Sequence, residues 1–141
     1  MIASELMTAN PECCLPTDSV MAAAQIMKTE DIGPVPIVEN KEEMKLAGIV
    51  TDRDLAIKVV AEARDPKTTQ IEEVMSEGLV TCRENDDVRS VLKLMEENQL
   101  RRIPVVGENM KLVGIISQAD VATRVDEPEK TAEVVREISQ S

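Results

Sequence analysis

The chain alternates short β-branched runs with stretches in which apolar residues recur every three or four positions. Val20, Ala23, Ala24 and Met27 fall at helical spacing, as do Val88, Val91, Leu92 and Met95. Each set predicts one buried stripe on a helix. Ahead of these helices stand Pro16-Thr17-Asp18-Ser19 and Glu84-Asn85-Asp86-Asp87. Both groups are rich in N-cap residues and first-turn carboxylates, which begin helices. Residues 12–15 (ECCL) and 79–83 (LVTCR) predict short strands. VPIV (35–38) and IPVV (103–106) are too short and too β-branched for helices. Each leads through a polar turn, 39–43 or 107–109, into a further apolar run, MKLAGIV (44–50) or MKLVGII (110–116). Two antiparallel hairpins follow from that pattern. A helix is expected after each hydroxyl residue, over 52–63 and 118–124, with Thr51 and Ser117 at the N-cap positions.

The same grammar thus occurs twice. Aligning Val20 with Val88, a shift of 68, brings Met27 onto Met95, Ile32 onto Leu100 and Pro36 onto Pro104. The first copy has two extra residues in its turn, so the shift becomes 66. Gly48 then meets Gly114, Thr51 meets Ser117 and Asp54 meets Asp120. Each copy reads β-α-β-β-α, and one such unit alone would bury its sheet poorly, which explains why the units come as a pair. The expected organisation is a first repeat with an N-terminal helix over 1–62, a linker with a short helix over 63–75, a second repeat over 76–125 and a helical tail over 126–141. Ile71 to Met75 resembles Ser4 to Met7, and residues 129–138 predict an amphipathic helix.

Composition narrows the chemistry. The 141 residues include 43% hydrophobic residues, but no Phe, Tyr or Trp. The core must come from Val, Ile, Leu, Ala and the eight Met, which fill gaps flexibly. A net charge of −11 argues against nonspecific binding to nucleic acid or anionic membrane. No run is long and apolar enough to span a bilayer, and a cytoplasmic protein is expected. Histidine is absent, so Ser-His, Cys-His and His-metal centres are excluded. The cysteines Cys13, Cys14 and Cys82 form no CxxC, and a zinc site would need all three thiols or carboxylates. Neither a catalytic set nor a metal site nor a required cofactor is expected.

The repeated motif, GIVTDRD at 48–54 and GIISQAD at 114–120, has two readings. The glycine allows close packing, and the hydroxyl and aspartate cap a helix. Alternatively, an aspartate in the first helical turn accepts hydrogen bonds from ribose hydroxyls, while the helix start meets phosphate. Arg101 and Arg102 precede the IPVV strand in an otherwise acidic chain, and guanidinium forks bind phosphate in bidentate fashion. The equivalent positions in the first copy are Gly33 and Pro34. Arg53 partly offsets this loss; its counterpart is Ala119.

These motifs, with VPIV and RRIPVV upstream of them, resemble paired cystathionine-β-synthase (CBS) domains, the Bateman module. The TDRD wording is similar to the regulatory insert of inosine monophosphate dehydrogenase and to small stand-alone CBS-pair proteins. The resemblance covers residues 8 to 125. It implies an α+β fold of two β-α-β-β-α repeats packed sheet to sheet with pseudo-two-fold symmetry, and clefts that bind adenosine nucleotides such as AMP, ADP or ATP, or S-adenosylmethionine. It assigns Asp54 and Asp120 to ribose and Thr51 and Ser117 to ribose or phosphate. Arg101, Arg102 and Arg53 fall to phosphate, and Cys13, Thr81, Val35 and Ile103 to the base pocket. The implied protein is a non-catalytic regulatory homodimer that binds an adenine nucleotide and signals to an unknown regulated protein. The alternative is a dimerisation scaffold whose clefts bind no nucleotide.

Overall fold

The computed structural model describes residues 1–124; the tail at 126–141 and its expected helix over 129–138 lie outside the described residues. The chain folds into two compact units. One is Glu12–Leu79. The other joins Met1–Pro11 to the described residues from Val80 onward.

In the Glu12–Leu79 unit, helix α2 (Val20–Glu30) starts at Ser19, whose hydroxyl accepts the Ala22 N–H at 3.3 Å. It ends at Asp31 in the left-handed conformation (φ 53°). Val20 and Ala23 are fully buried, whereas Ala24 and Met27 are half-buried. Strands β2 (Val35–Val38) and β3 (Leu46–Val50) pair antiparallel, Val35 facing Val50 and Ile37 facing Gly48. Cys14 adds one parallel bridge to Ile37. The core is built from Cys14, Val20, Ala23, Val35, Ile37, Val50, Val59, Ile71 and Val74.

The other unit repeats this plan with fuller pairing. Helix α4 (Val88–Asn98) starts at Asp87 and ends at Gln99, again left-handed (φ 53°). It buries the whole expected stripe of Val88, Val91, Leu92 and Met95. Strands β5 (Arg102–Val106) and β6 (Leu112–Ser117) form the hairpin, and β4 (Cys82–Arg83) lies parallel to β5. Helix α1 (Ala3–Leu6) and strand β1 (Thr8–Ala9) complete it, giving the sheet order β1-β6-β5-β4. Truncating Leu92 or Met95 to Ala would cost about 2–5 kcal/mol.

Three expectations need correction. The strands at 12–15 and 79–83 shrink to a single bridge and two residues. In both copies the chain turns at once toward the next helix, a carboxylate three residues on accepting a backbone N–H at the strand's end. Asp18 takes that of Leu15 at 2.9 Å, and Asp86 that of Arg83 at 2.8 Å. The helix at 52–63 is shorter than expected: α3 (Asp52–Leu55) runs into a π turn (Ala56–Val60), and Ala63 closes the segment at φ 54°. Finally, the short segments ahead of each repeat change places. Met1–Pro11 pack with the second repeat, while Gln70–Ser76 pack with the first.

The motif glycines make room for both segments. A β-carbon on Gly48 would lie 2.7 Å from the Ser76 carbonyl oxygen and 2.9 Å from Met75 Sδ. One on Gly114 would lie 2.9 Å from the Thr8 carbonyl oxygen and collide with Met7 Sδ. Real β-carbons do not approach that closely, so only glycine lets these segments lie on the hairpins. The segments pair in equivalent registers: Ile49 with Ser76, and Ile115 with Thr8.

Candidate functional site

Strand β3 ends at Val50, just before Thr51, and β6 at Ser117, where the chain turns into α3 and into α5 (Gln118–Arg124). Both hydroxyl residues cap their helices. Thr51 Oγ1 accepts the Asp54 N–H at 3.1 Å, and Asp54 Oδ2 accepts the Thr51 N–H at 2.9 Å. Ser117 and Asp120 do the same at 3.3 and 2.9 Å, and the Ser117 hydroxyl donates to Asp120 Oδ2 at 3.1 Å. Each pair is a capping box that satisfies two otherwise orphaned backbone donors. The structural reading of the motif therefore holds in both copies. It does not consume the carboxylates, because an ionised carboxylate offers about four acceptor sites.

What surrounds the two boxes differs. At the second repeat, Arg102 stands opposite Ser117 in the hairpin register, and the Arg101 carbonyl accepts the Gln118 N–H at 3.1 Å. The backbones of Arg101 and Arg102 thus lie beside the Ser117–Asp120 box at one end of β5–β6. Arg101 is exposed, Arg102 half-buried, and neither has an ion-pair partner among the described residues. The Gln118 Nε2 is buried without a partner among the described residues. At the first repeat the same backbone bond joins the Asp52 N–H to the Gly33 carbonyl at 3.2 Å. Here, however, an acid replaces the amide and glycine replaces arginine. Asp52 Oδ1 lies 3.2 Å from where a Gly33 β-carbon would be. Arg53 is exposed on α3.

The expected base-pocket residues are less uniform. Val35 and Ile103 are fully buried in their hairpins, which leaves only their backbone for a ligand. Thr81 is half-buried. Cys13 is buried, its carbonyl accepting Lys41 Nζ at 2.8 Å, with the same ammonium 3.4 Å from its sulfur. The other two thiols are inert: burial first, then the nearby Asp18, pushes Cys14 up to about 11, and burial pushes Cys82 up to about 12.

Two cations escaped the sequence reading. Lys58 pairs with Asp54 Oδ1 at 3.2 Å and donates to the Val74 carbonyl at 3.0 Å. Its spacing of four from Asp54 is a readable helical pair. Lys41, 28 residues from Cys13, left no such signal.

These features coincide with a known family. The CBS domain model matches residues 3–61 and 71–127, and the chain belongs to the CBS domain family. It is 37% identical over 125 residues to Hypoxic response protein 1 of Mycobacterium tuberculosis, covering 89% of this chain and 85% of that protein. A crystal structure of Hypoxic Response Protein I with two coordinated zinc ions superposes with a TM-score of 0.79 at 36% identity, covering 89% of this chain and 99% of that one. Among the described residues here, no group of three or more Cys, Asp or Glu is placed to hold a metal ion. The CBS pair of protein MJ0100, solved with 5′-methylthioadenosine and S-adenosyl-L-methionine, matches at 29% identity and a TM-score of 0.73, covering 86% of this chain and 93% of that one. Inosine-5′-monophosphate dehydrogenase of Methanocaldococcus jannaschii is 33% identical over 81% of this chain but only 21% of its own length. The fold is thus the α+β fold of CBS-pair proteins. No helix among the described residues is long and apolar enough to cross a membrane.

Proposed function

We propose that the chain is a non-catalytic regulatory module that binds an adenosine-containing nucleotide of the AMP, ADP or ATP type and passes the bound state to a partner protein. The observation that carries this reading is the convergence of Arg101, Arg102, Ser117 and Asp120 at one corner of the second repeat. A half-buried carboxylate there accepts ribose hydroxyls, and two cations beside it neutralise phosphate. The MJ0100 pair, which holds two adenosine compounds, supports the ligand class. Asp54 and Thr51 offer the first repeat the same ribose contact without the arginines, so the two half-sites differ in phosphate affinity.

Calorimetric titration with AMP, ADP, ATP, NAD and S-adenosylmethionine tests the reading. Saturable binding by at least one compound is expected, weakened about tenfold or more by Arg102→Ala or Asp120→Asn, as for hydrogen bonds to charged groups. The asparagine keeps an acceptor for the Ser117 N–H, so folding is preserved.

A scaffold reading stands beside it, because the capping boxes explain both motifs without a ligand. Ile57 and Val60 leave an apolar strip exposed, at 45% and 75%, which a second copy would cover in a homodimer. Silence across the titration panel with a ligand-independent dimer would put this reading first.

A further inference from the structure

In the first repeat one lysine touches both the motif aspartate and the exchanged segment. Lys58 Nζ lies 3.2 Å from Asp54 Oδ1 and 3.0 Å from the Val74 carbonyl oxygen. Asp54 is 15% exposed and Lys58 45%. The lysine sits in the π turn (Ala56–Val60), a local widening that often marks a functional position.

Val74 anchors the segment on which this contact acts. Its side chain is 2% exposed, and it ends the short 3₁₀ turn at Ile71–Glu73. The next residue, Met75, covers Gly48. Ser76 then exchanges two backbone bonds with Ile49, at 2.9 and 3.0 Å. Ile49 is two residues before Thr51. The segment is therefore held by the motif strand through its backbone and by the motif aspartate through Lys58. Arg64 holds it independently by pairing with Glu73.

We propose that Lys58 is a positioning residue that reports the state of the Asp54 carboxylate to residues 70–76. Ribose hydroxyls that donate to Asp54 compete with the ammonium for Oδ1. Lys58 is nearly half exposed, so hydration is an easy alternative, and when it leaves the Val74 carbonyl loses its donor. Ligand at the first half-site thereby loosens the segment that lies on the motif hairpin. A ligand shifts such an equilibrium only by its differential contacts with the two states. An exposed pair of this kind limits the effect to about a two- to five-fold change in local opening. The ligand step rests on the nucleotide reading; the link itself does not.

Hydrogen exchange on the full chain tests the link without ligand. The probes are the Val74 and Met75 amides, bonded to Ile71, and the Ser76 amide, bonded to Ile49. Asp54→Asn and Lys58→Met should each speed their exchange about two- to five-fold, and the double variant no further. Lys93→Met, which breaks a surface pair with Glu97 in the other unit, should leave them unchanged. Additive effects of the two substitutions, or unchanged exchange in Asp54→Asn, would overturn the proposal. In a second arm, AMP should speed exchange at 74–76 in the wild type but not in Lys58→Met. Slower or unchanged exchange in a wild type whose AMP binding is weakened by Asp54→Asn would equally overturn it. Absence of AMP binding would count against the nucleotide reading alone, with the ligand-free arm still deciding the link.

Discussion

Replacing Gly114 by Ala asks whether the motif glycine is a socket for the N-terminal segment. The new β-carbon would stand 2.9 Å from the Thr8 carbonyl oxygen and 2.7 Å from Met7 Cγ, with Met7 Sδ closer still. The thioether can rotate away. The carbonyl cannot retreat without lifting β1 from β6, where it is held by the Thr8–Ile115 and Ala9–Gly114 pairs and by the Asn10 N–H on the Val113 carbonyl at 3.3 Å. Overpacking by a single methyl costs about 1–3 kcal/mol. Because the obstacle is partly backbone, the upper half of that range, about 2–3 kcal/mol, is expected. For a chain of this size that lowers Tm by about 5–10 °C. Urea unfolding followed by far-UV circular dichroism measures it, with the midpoint falling and the slope unchanged. Met7→Ala alone should destabilise, since it empties space against the core, yet in the Gly114→Ala background it should recover about 1 kcal/mol. A Gly114→Ala protein within about 0.5 kcal/mol of wild type, or strictly additive effects of the two substitutions, would refute the socket.

The buried thiols give a pH dependence with a definite sign. The Cys14 and Cys82 values are raised from 9.0 to about 11 and about 12, so their contribution is complete below pH 9 and is lost as pH rises toward those values. Unfolding free energy should fall by about 3 kcal/mol for Cys14 alone across that window. Urea midpoints between pH 8 and 11 read it, and a flat profile would contradict the burial. At the first repeat, Gly33→Arg with Asp52→Gln copies in the second repeat's charge pattern. It should raise ATP affinity or stoichiometry in calorimetry, and no change would show that these positions do not discriminate phosphate.

Much of this architecture was legible because its causes are local. Helix stripes, Ser19 and Asp87 as caps, and hairpins around polar turns depend on residues within one turn of each other. What escaped depends on distance along the chain. Met7 and Gly114 are far apart in sequence, and nothing local to residues 1–10 shows that they serve the second repeat. The resemblance between Ser4–Met7 and Ile71–Met75 was visible, but not its meaning: each is the missing edge of the other segment's neighbour. The shortened strands escaped for a similar reason. Asp18 and Asp86 read as helix-start residues, and each also accepts a backbone N–H where the chain leaves the strand before it. At the candidate site, Thr51, Asp54, Ser117 and Asp120 could be placed at the helix starts from spacing alone. Lys41 could not, since it reaches Cys13 only through the folded hairpin.

Comparing the copies separates what the fold requires from what a ligand would read. Gly48 and Gly114, Thr51 and Ser117, and Asp54 and Asp120 keep their residue type or hydroxyl in both repeats, and each has a sufficient structural cause in a packed segment or a capping box. Repetition of the motif is therefore weak evidence for binding, although it first drew attention to these residues. The positions that change are those around the box: Gly33 against Arg101, Pro34 against Arg102, Asp52 against Gln118, and Arg53 against Ala119. The shared backbone bond does not account for them, since it forms at both corners, from the Asp52 N–H at 3.2 Å and from the Gln118 N–H at 3.1 Å. A ligand that carries charge at one end is discriminated at such positions, because moving a guanidinium or a carboxylate near a phosphate changes its energy more than a preserved cap does. On the nucleotide reading, substitutions that exchange charge between the corners are therefore more informative about binding than substitutions in the shared motif, which perturb the fold as well.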